Sequence, residues 1–186
     1  MGKKLSEMSI EELWQLFPIF LTEHKDCWES WYMEEARELK EILPQDTKIS
    51  HIGSTAVSSI WAKPIIDILV EVSGECDLPD VKDLLVNNGY ICMNQKSNRI
   101  SFNKGYTENG FAERVFHLHL RYTGDNDELY FRDYLIEYPK VADEYEQMKL
   151  KLWKEYEHDR DGYTGAKADF VNKHTSEAKL LYGNRY

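Results

Sequence analysis

The sequence predicts an α+β fold in which a small mixed β-sheet is covered by helices and followed by a helical C-terminal region. Strand-like segments gather in the middle of the chain, and helical patterns flank them on both sides. At 186 residues the chain has enough material for one ordinary core, so residues 1–186 are read as one domain.

The elements follow in order. Ser9-Ile-Glu-Glu12 has the spacing of a capping box ahead of Leu13, Leu16 and Phe17, which predicts a short amphipathic helix. From about Asp26 to Leu43, Trp28, Trp31, Tyr32, Ala36 and Leu39 recur near helical spacing, and Pro44 stops the helix. Lys48–Ile52 reads as a short strand, and Gly53-Ser54-Thr55 turns into a short helix or loop. After Lys63-Pro64, Ile65–Val72 is a β-branched apolar run broken by Asp67 and Glu71, the pattern of a buried strand. Leu78–Asn88 is a helix closed by Gly89. Tyr90–Met93, Ile100–Lys104 and Ala112–Tyr122 read as strands. In the last of these, Val115, His117 and His119 alternate with Phe116, Leu118 and Leu120. Beyond Gly124 three helices are expected, over Asp127–Glu137, from Pro139 onward, and over Tyr163–Leu181.

Composition narrows the function. A 42% hydrophobic share with 13% aromatic residues fits a packed interior. No apolar run approaches the ~20 residues of a membrane span, and the opening Met-Gly-Lys-Lys lacks a signal peptide's apolar stretch. No membrane partner and a cytoplasmic location are therefore expected. Cys27, Cys76 and Cys92 lack CxxC spacing and read as free buried thiols. The net charge of −10 disfavours a nucleic-acid partner and favours a small molecule, and a phosphate-bearing one would need local basic groups.

His51-Ile-Gly-Ser-Thr55, followed by Asp67 fourteen residues after Gly53, is the strongest local signal. A Gly-Ser pair at a strand-to-helix turn can offer backbone N–H groups and the Ser54 hydroxyl to a phosphate, although such pairs are also ordinary turns. A carboxylate inside an apolar strand needs a partner such as Mg²⁺ or a structural cap. His117 and His119 share one strand face and can join Asp67 as metal ligands or act as a general base, with His51 added if its strand is a neighbour. Imidazole ligands would shift the preferred ion from Mg²⁺ towards Mn²⁺, Zn²⁺ or Fe. Lys63, Arg114, Arg132 and Lys167 supply cations. Tyr163 and Lys167, four residues apart on a helix face, either contact a nucleotide or pack structurally. Arg132-Asp133 reads as a structural pair, and Asp143-Glu-Tyr-Glu146 as a solvated helix face.

His51-Ile-Gly-Ser-Thr-Ala-Val, Ala62-Lys-Pro-Ile-Ile-Asp-Ile68, His117-Leu-His119, Phe131-Arg-Asp-Tyr-Leu135 and Tyr163-Thr-Gly-Ala-Lys167 together resemble the GrpB family, from about residue 26 to the C-terminus. The resemblance implies a nucleotidyltransferase-like fold. Its pocket would place Gly53, Ser54 and Thr55 near a triphosphate, with Asp67 on a divalent ion, Mg²⁺ or Mn²⁺. The expected function is metal-dependent nucleotidyl transfer from a nucleoside triphosphate to a small acceptor. The alternative is a non-catalytic nucleotide- or phosphometabolite-binding module linked to coenzyme A metabolism, since some family members are fused to dephospho-CoA kinase. A His/Asp metal hydrolase is a third reading. The superfamily pattern wants a second acid two positions after the first, where this chain has Leu69. Glu71 lies roughly 13 Å along the strand from Asp67, too far to share an ion with it, and reads as a surface residue at the strand end.

Overall fold

The computed structural model describes residues 3–186; Met1 and Gly2, at the head of the segment expected to carry no leader, lie outside the described residues. Helix α1 (Ile10–Leu16) starts at Ser9, whose side chain accepts from the Glu12 N–H while Glu12 reaches back to the Ser9 N–H. Helix α2 (Cys27–Ile42) leads to strand β1 (Lys48–Ile52), a 3₁₀ turn at Ser54–Ala56, strand β2 (Ile66–Val72) and helix α3 (Leu78–Asn87). Strands β3 (Ile91–Gln95), β4 (Arg99–Thr107) and β5 (Gly110–Tyr122) precede helices α4 (Asp127–Glu137), α5 (Pro139–Glu155), α6 (Arg160–Ala166) and α7 (Ala168–Tyr182). No helix among the described residues is long and apolar enough to cross a membrane.

The strands form a five-stranded mixed sheet in the order β1-β2-β5-β4-β3. Only β2 and β5 pair in parallel; the other neighbours are antiparallel. Parallel neighbours cannot be joined by a tight turn, and α3 with the β3–β4 hairpin fills the crossover. Ile66, Ile68, Val70 and Val72 of β2 and Phe116, Leu118 and Leu120 of β5 form a core with Trp28 and Leu39 of α2 and with Leu78, Val81 and Leu85 of α3. The opposite sheet face carries Asp67, Leu69 and Glu71 beside His117, His119 and Arg121, because the parallel register sets Asp67 against His117 and Leu69 against His119. The C-terminal helices lie over this second face, with Leu129 of α4 packed on Ile52 and Leu69.

Several expectations need correction. The single helix expected over Tyr163–Leu181 is two helices meeting at Lys167, and the first begins three residues earlier, at Arg160, because the Asp159 side chain caps it by accepting from the Gly162 N–H at 2.8 Å. Strand β4 runs past Lys104 through a bulge at Gly105, whose φ of +88° and crowding against the Arg114 carbonyl require glycine. Glu71 is 2% exposed rather than superficial; its carboxylate accepts from the Gly124 N–H and Asn126 Nδ2, both at 3.0 Å, and ties β2 to the start of α4. Cys92 is exposed, and Cys27 and Cys76 are only partly covered. In the acidic run of α5, Tyr145 is buried and Glu146 accepts from the Trp61 N–H, so that face is not fully solvated.

Candidate functional site

Asp67 stands at the centre of the second sheet face. Its Oδ1 lies 3.4 Å from His117 Nδ1 and 3.6 Å from His119 Nε2, and the carboxylate keeps 29% of its side-chain surface open. On its far side His117 Nε2 is 3.2 Å from Arg160 Nη2 and 2.8 Å from the Tyr106 hydroxyl. A guanidinium only donates, so Nε2 is the accepting nitrogen and the ring proton sits on Nδ1, facing Asp67. Burial pushes the His117 imidazole down to about 4 against the pull of Asp67, with Arg160 and Lys63 adding to the depression, so the ring is neutral at pH 7. Burial raises the Asp67 carboxyl, and the two imidazoles outweigh it and hold the group well below the usual carboxylate range.

The turn after β1 is built against this carboxylate. Gly53 has φ +72°, and a Cβ there would collide with Asp67 Oδ2. The glycine thus serves the close approach of the turn to Asp67. Gly53→Ala is expected to destabilise the chain by about 1–3 kcal/mol, measured by urea unfolding, because it combines left-handed strain with that collision. Ser54 Oγ accepts from Lys149 Nζ at 3.0 Å, and Lys149 also donates to the Trp61 carbonyl. The first N–H groups of the 3₁₀ turn have no partner within it. The Thr55 hydroxyl is committed elsewhere, facing His51 Nε2 at 3.0 Å and donating to the Ile65 carbonyl.

Beside the turn lies a cavity of about 280 Å³ lined by Gly53, Ser54, Asp67, His117 and four cationic side chains: Lys63, Lys149, Arg160 and Lys167. Burial lowers Lys63 to about 7, helped by repulsion from Lys167 and Arg160 and opposed by Asp67. Lys149, 1% exposed, is lowered to about 7 by burial and by Lys167 and Lys63, with Glu146 opposing. Lys167 falls to about 8 through burial and Arg160, with Asp67 opposing. The Tyr163 ring is buried and carries Lys167 Nζ 4.2 Å and Lys63 Nζ 5.3 Å from its centroid. It supports two ammonium groups and has no free face for a base. A second cleft of about 370 Å³ shares Gly53, Ser54, Asp67, His119 and Tyr145 with the first and continues along α4 and α7.

The structure therefore brings together Gly53, Ser54, Lys63, Asp67, His117, His119 and Lys167, with Tyr163 beneath them. It does not bring His51 to them. His51 pairs with Ile68 and so points to the opposite sheet face, where it stacks on Tyr32 at 4.7 Å and lies 3.3 Å from Glu29. Arg114 pairs with Glu34 and lies over Trp31, away from the cavity. Arg132 ties Asp133 to the His51 carbonyl, the expected structural pair.

Sequence reasoning missed Lys149 and Arg160. Lys149 falls on the stripe Ala142, Tyr145, Lys149 that α5 buries, and a lysine on an apolar stripe was the available signal. Arg160 opens α6, where the helix dipole disfavours a cation, a local misfit that marks a charge required for another reason.

The donor set does not fit a pair of divalent ions. No group of three or more His, Cys, Asp or Glu side chains among the described residues is arranged to hold a metal. Both His117 nitrogens are engaged, the position of a second acid is the buried Leu69, and four cationic groups share the cavity with one carboxylate.

The chain matches the family described as GrpB protein over residues 18–177. Glutamate-rich protein GrpB of Alkalihalophilus pseudofirmus is 35% identical over 167 residues, covering 86% of this chain and 95% of that protein. The crystal structure of conserved protein GrpB from Enterococcus faecalis superimposes with a TM-score of 0.74 at 33% identity, over 88% of this chain and 99% of that one. The Cid1 poly(U) polymerase bound to MgGTP superimposes with a TM-score of 0.52 at 14% identity, over 79% of this chain and 47% of that one, a likeness of fold alone.

Proposed function

This chain belongs to the GrpB family and has a nucleotidyltransferase-like fold, and on that premise we propose that its cation-lined cavity binds the phosphate chain of a nucleoside triphosphate. The observation that carries the proposal is the convergence of Lys63, Lys149, Arg160 and Lys167 on a cavity whose one carboxylate is Asp67. Three lysines held well below their ordinary values share the cavity with the single carboxylate of Asp67, with Glu146 acting on Lys149 besides, and a polyphosphate would add the anionic charge that keeps them protonated. In this reading the side chains provide the charge neutralisation that divalent ions provide in two-ion transferases. Ser54 and the turn at Gly53 orient the phosphates. Asp67 fixes the His117 tautomer and spaces the cations.

A second reading, transfer of the nucleotidyl group to a small acceptor, is favoured by Asp67 and His119 standing where the cation-lined cavity meets the second cleft. An acceptor hydroxyl in that cleft would attack the α-phosphorus, its proton passing to His119 oriented by Asp67, and pyrophosphate would leave into the lysine cluster.

Calorimetric titration of metal-stripped protein with ATP, GTP, CTP, UTP and inorganic tripolyphosphate, with chelator and then with Mg²⁺ or Mn²⁺, tests the proposal. Binding is expected in chelator, and Asp67→Asn is expected to keep it within about threefold, because removal of a like charge is offset by the deeper depression of Lys63 and Lys167 once Asp67 no longer opposes it. Binding that requires the ion and disappears in Asp67→Asn would instead make Asp67 a metal ligand. Absence of binding in every condition would overturn the phosphate reading.

A further inference from the structure

A second cavity, of about 290 Å³, abuts the cation-lined one and shares Lys63, Ile65 and Arg160 with it. Its walls are aromatic: Phe17, Phe20, Trp28, Trp31, Tyr106 and Phe111. Phe17 lies 4.7 Å from Tyr106 and 5.0 Å from Phe111, ring to ring, in tilted arrangements. Tyr106 links the two cavities, since its hydroxyl contacts His117 Nε2. Trp28 is 0% exposed, and its indole N–H has no hydrogen-bond partner among the described residues. That N–H is closed off from the cavity as well, and Lys25 and Glu113 supply further polar groups to the lining.

We propose that this aromatic cavity is a nucleobase subsite, receiving the heteroaromatic ring of a ligand whose phosphates lie against Lys63 and Arg160. A nucleobase combines a π face for the aromatic walls with ring-nitrogen, carbonyl and exocyclic amino groups for Lys25 and Glu113, which also line the cavity. An acyl chain would fill the same walls and offer nothing to Lys25 and Glu113. The volume, near the ~300 Å³ lower end of small-molecule pockets, suits one ring system rather than a whole ligand. The inference rests on the phosphate reading for the remainder of the ligand.

The test compares nucleoside triphosphates with inorganic tripolyphosphate on the full chain, and with the free nucleosides. At least one triphosphate is expected to bind about tenfold or more tightly than tripolyphosphate, the increment of one stacked base. Phe111→Leu, which keeps bulk and removes the π face, and Phe20→Ala are each expected to erode that advantage by about tenfold while leaving tripolyphosphate affinity unchanged. Equal affinity for tripolyphosphate and all four triphosphates overturns the inference and leaves the phosphate reading intact. So does parallel weakening of both ligand types in the two variants. If tripolyphosphate does not bind, the phosphate reading falls; a nucleoside that binds the parent chain and not Phe111→Leu would still establish the subsite, and no nucleoside binding would remove it.

Discussion

An aspartate at position 69 is expected to destabilise the chain by about 3–5 kcal/mol and to confer no transfer activity. On register alone the position is right for a second acid: it shares a face with Asp67, lies opposite His119 on β5, and stands about 6–7 Å along the strand. Packing decides otherwise. Leu69 is 0% exposed and closes a cluster with Ile52 and Leu129, so Leu69→Asp both empties a leucine-sized space and buries a carboxylate. The nearest imidazole across the sheet is His119, which already faces Asp67.

The sign of the pH dependence identifies the mechanism. A carboxyl buried without a matched partner has a folded-state value above its unfolded value of about 4, so the folded chain holds the proton longer. The penalty is therefore smallest below about pH 4 and grows as pH rises through the folded value. Urea unfolding of Leu69→Asp and Leu69→Asn at pH 4 and pH 7 measures this: the two variants should converge at the lower pH and separate at the higher. A Leu69→Asp chain as stable as its parent, binding Mn²⁺ and transferring nucleotide, would show instead that the site is a two-ion centre lacking one ligand.

The fold was legible because its signals are local. The capping box at Ser9, the β-branched run of β2, the Asn-Gly stop after α3 and Pro139 each act within a few residues, and each marks an element close to where it forms. The site was legible in part, for a related reason. Alternation along β5 puts His117 and His119 on one face, and only the parallel register with β2 then brings them to Asp67. The face on which His51 falls depends on how β1 pairs with β2, an antiparallel register that nothing within either strand announces. Likewise, the burial of Glu71 depends on where the chain turns after β5, 53 residues away, at Gly124. Lys149 and Arg160 reach the cavity from helices far along the chain, and only the packing of α5 and α6 over the sheet brings their charges to Asp67.

Raising the pH from 7 to 9 is expected to weaken tripolyphosphate binding by about a hundredfold, while the ligand-free chain becomes more stable over the same range. Lys63 and Lys149 at about 7 and Lys167 at about 8 lie below the ordinary lysine value, so between these values and about 10.4 the unfolded chain binds more protons than the folded one. Unfolding free energy therefore rises with pH through that window. Binding has the opposite sign. A polyanion in the cavity favours the charged lysines and raises their values, so protons are taken up on binding near pH 8 and affinity falls as they become harder to recruit. His117, at about 4, is already neutral and does not contribute to the change. A polyphosphate losing its last proton within this range would by itself bind more tightly at higher pH, and a decline above pH 7 must therefore come from the lysines. Titrations from pH 6.5 to 9, repeated in buffers of different ionisation enthalpy, measure affinity and proton uptake together. In Lys149→Met the profile should flatten, because one titrating group of the cluster is gone. A flat profile in the parent chain, with no proton uptake, would mean that the lysine cluster does not meet the phosphates.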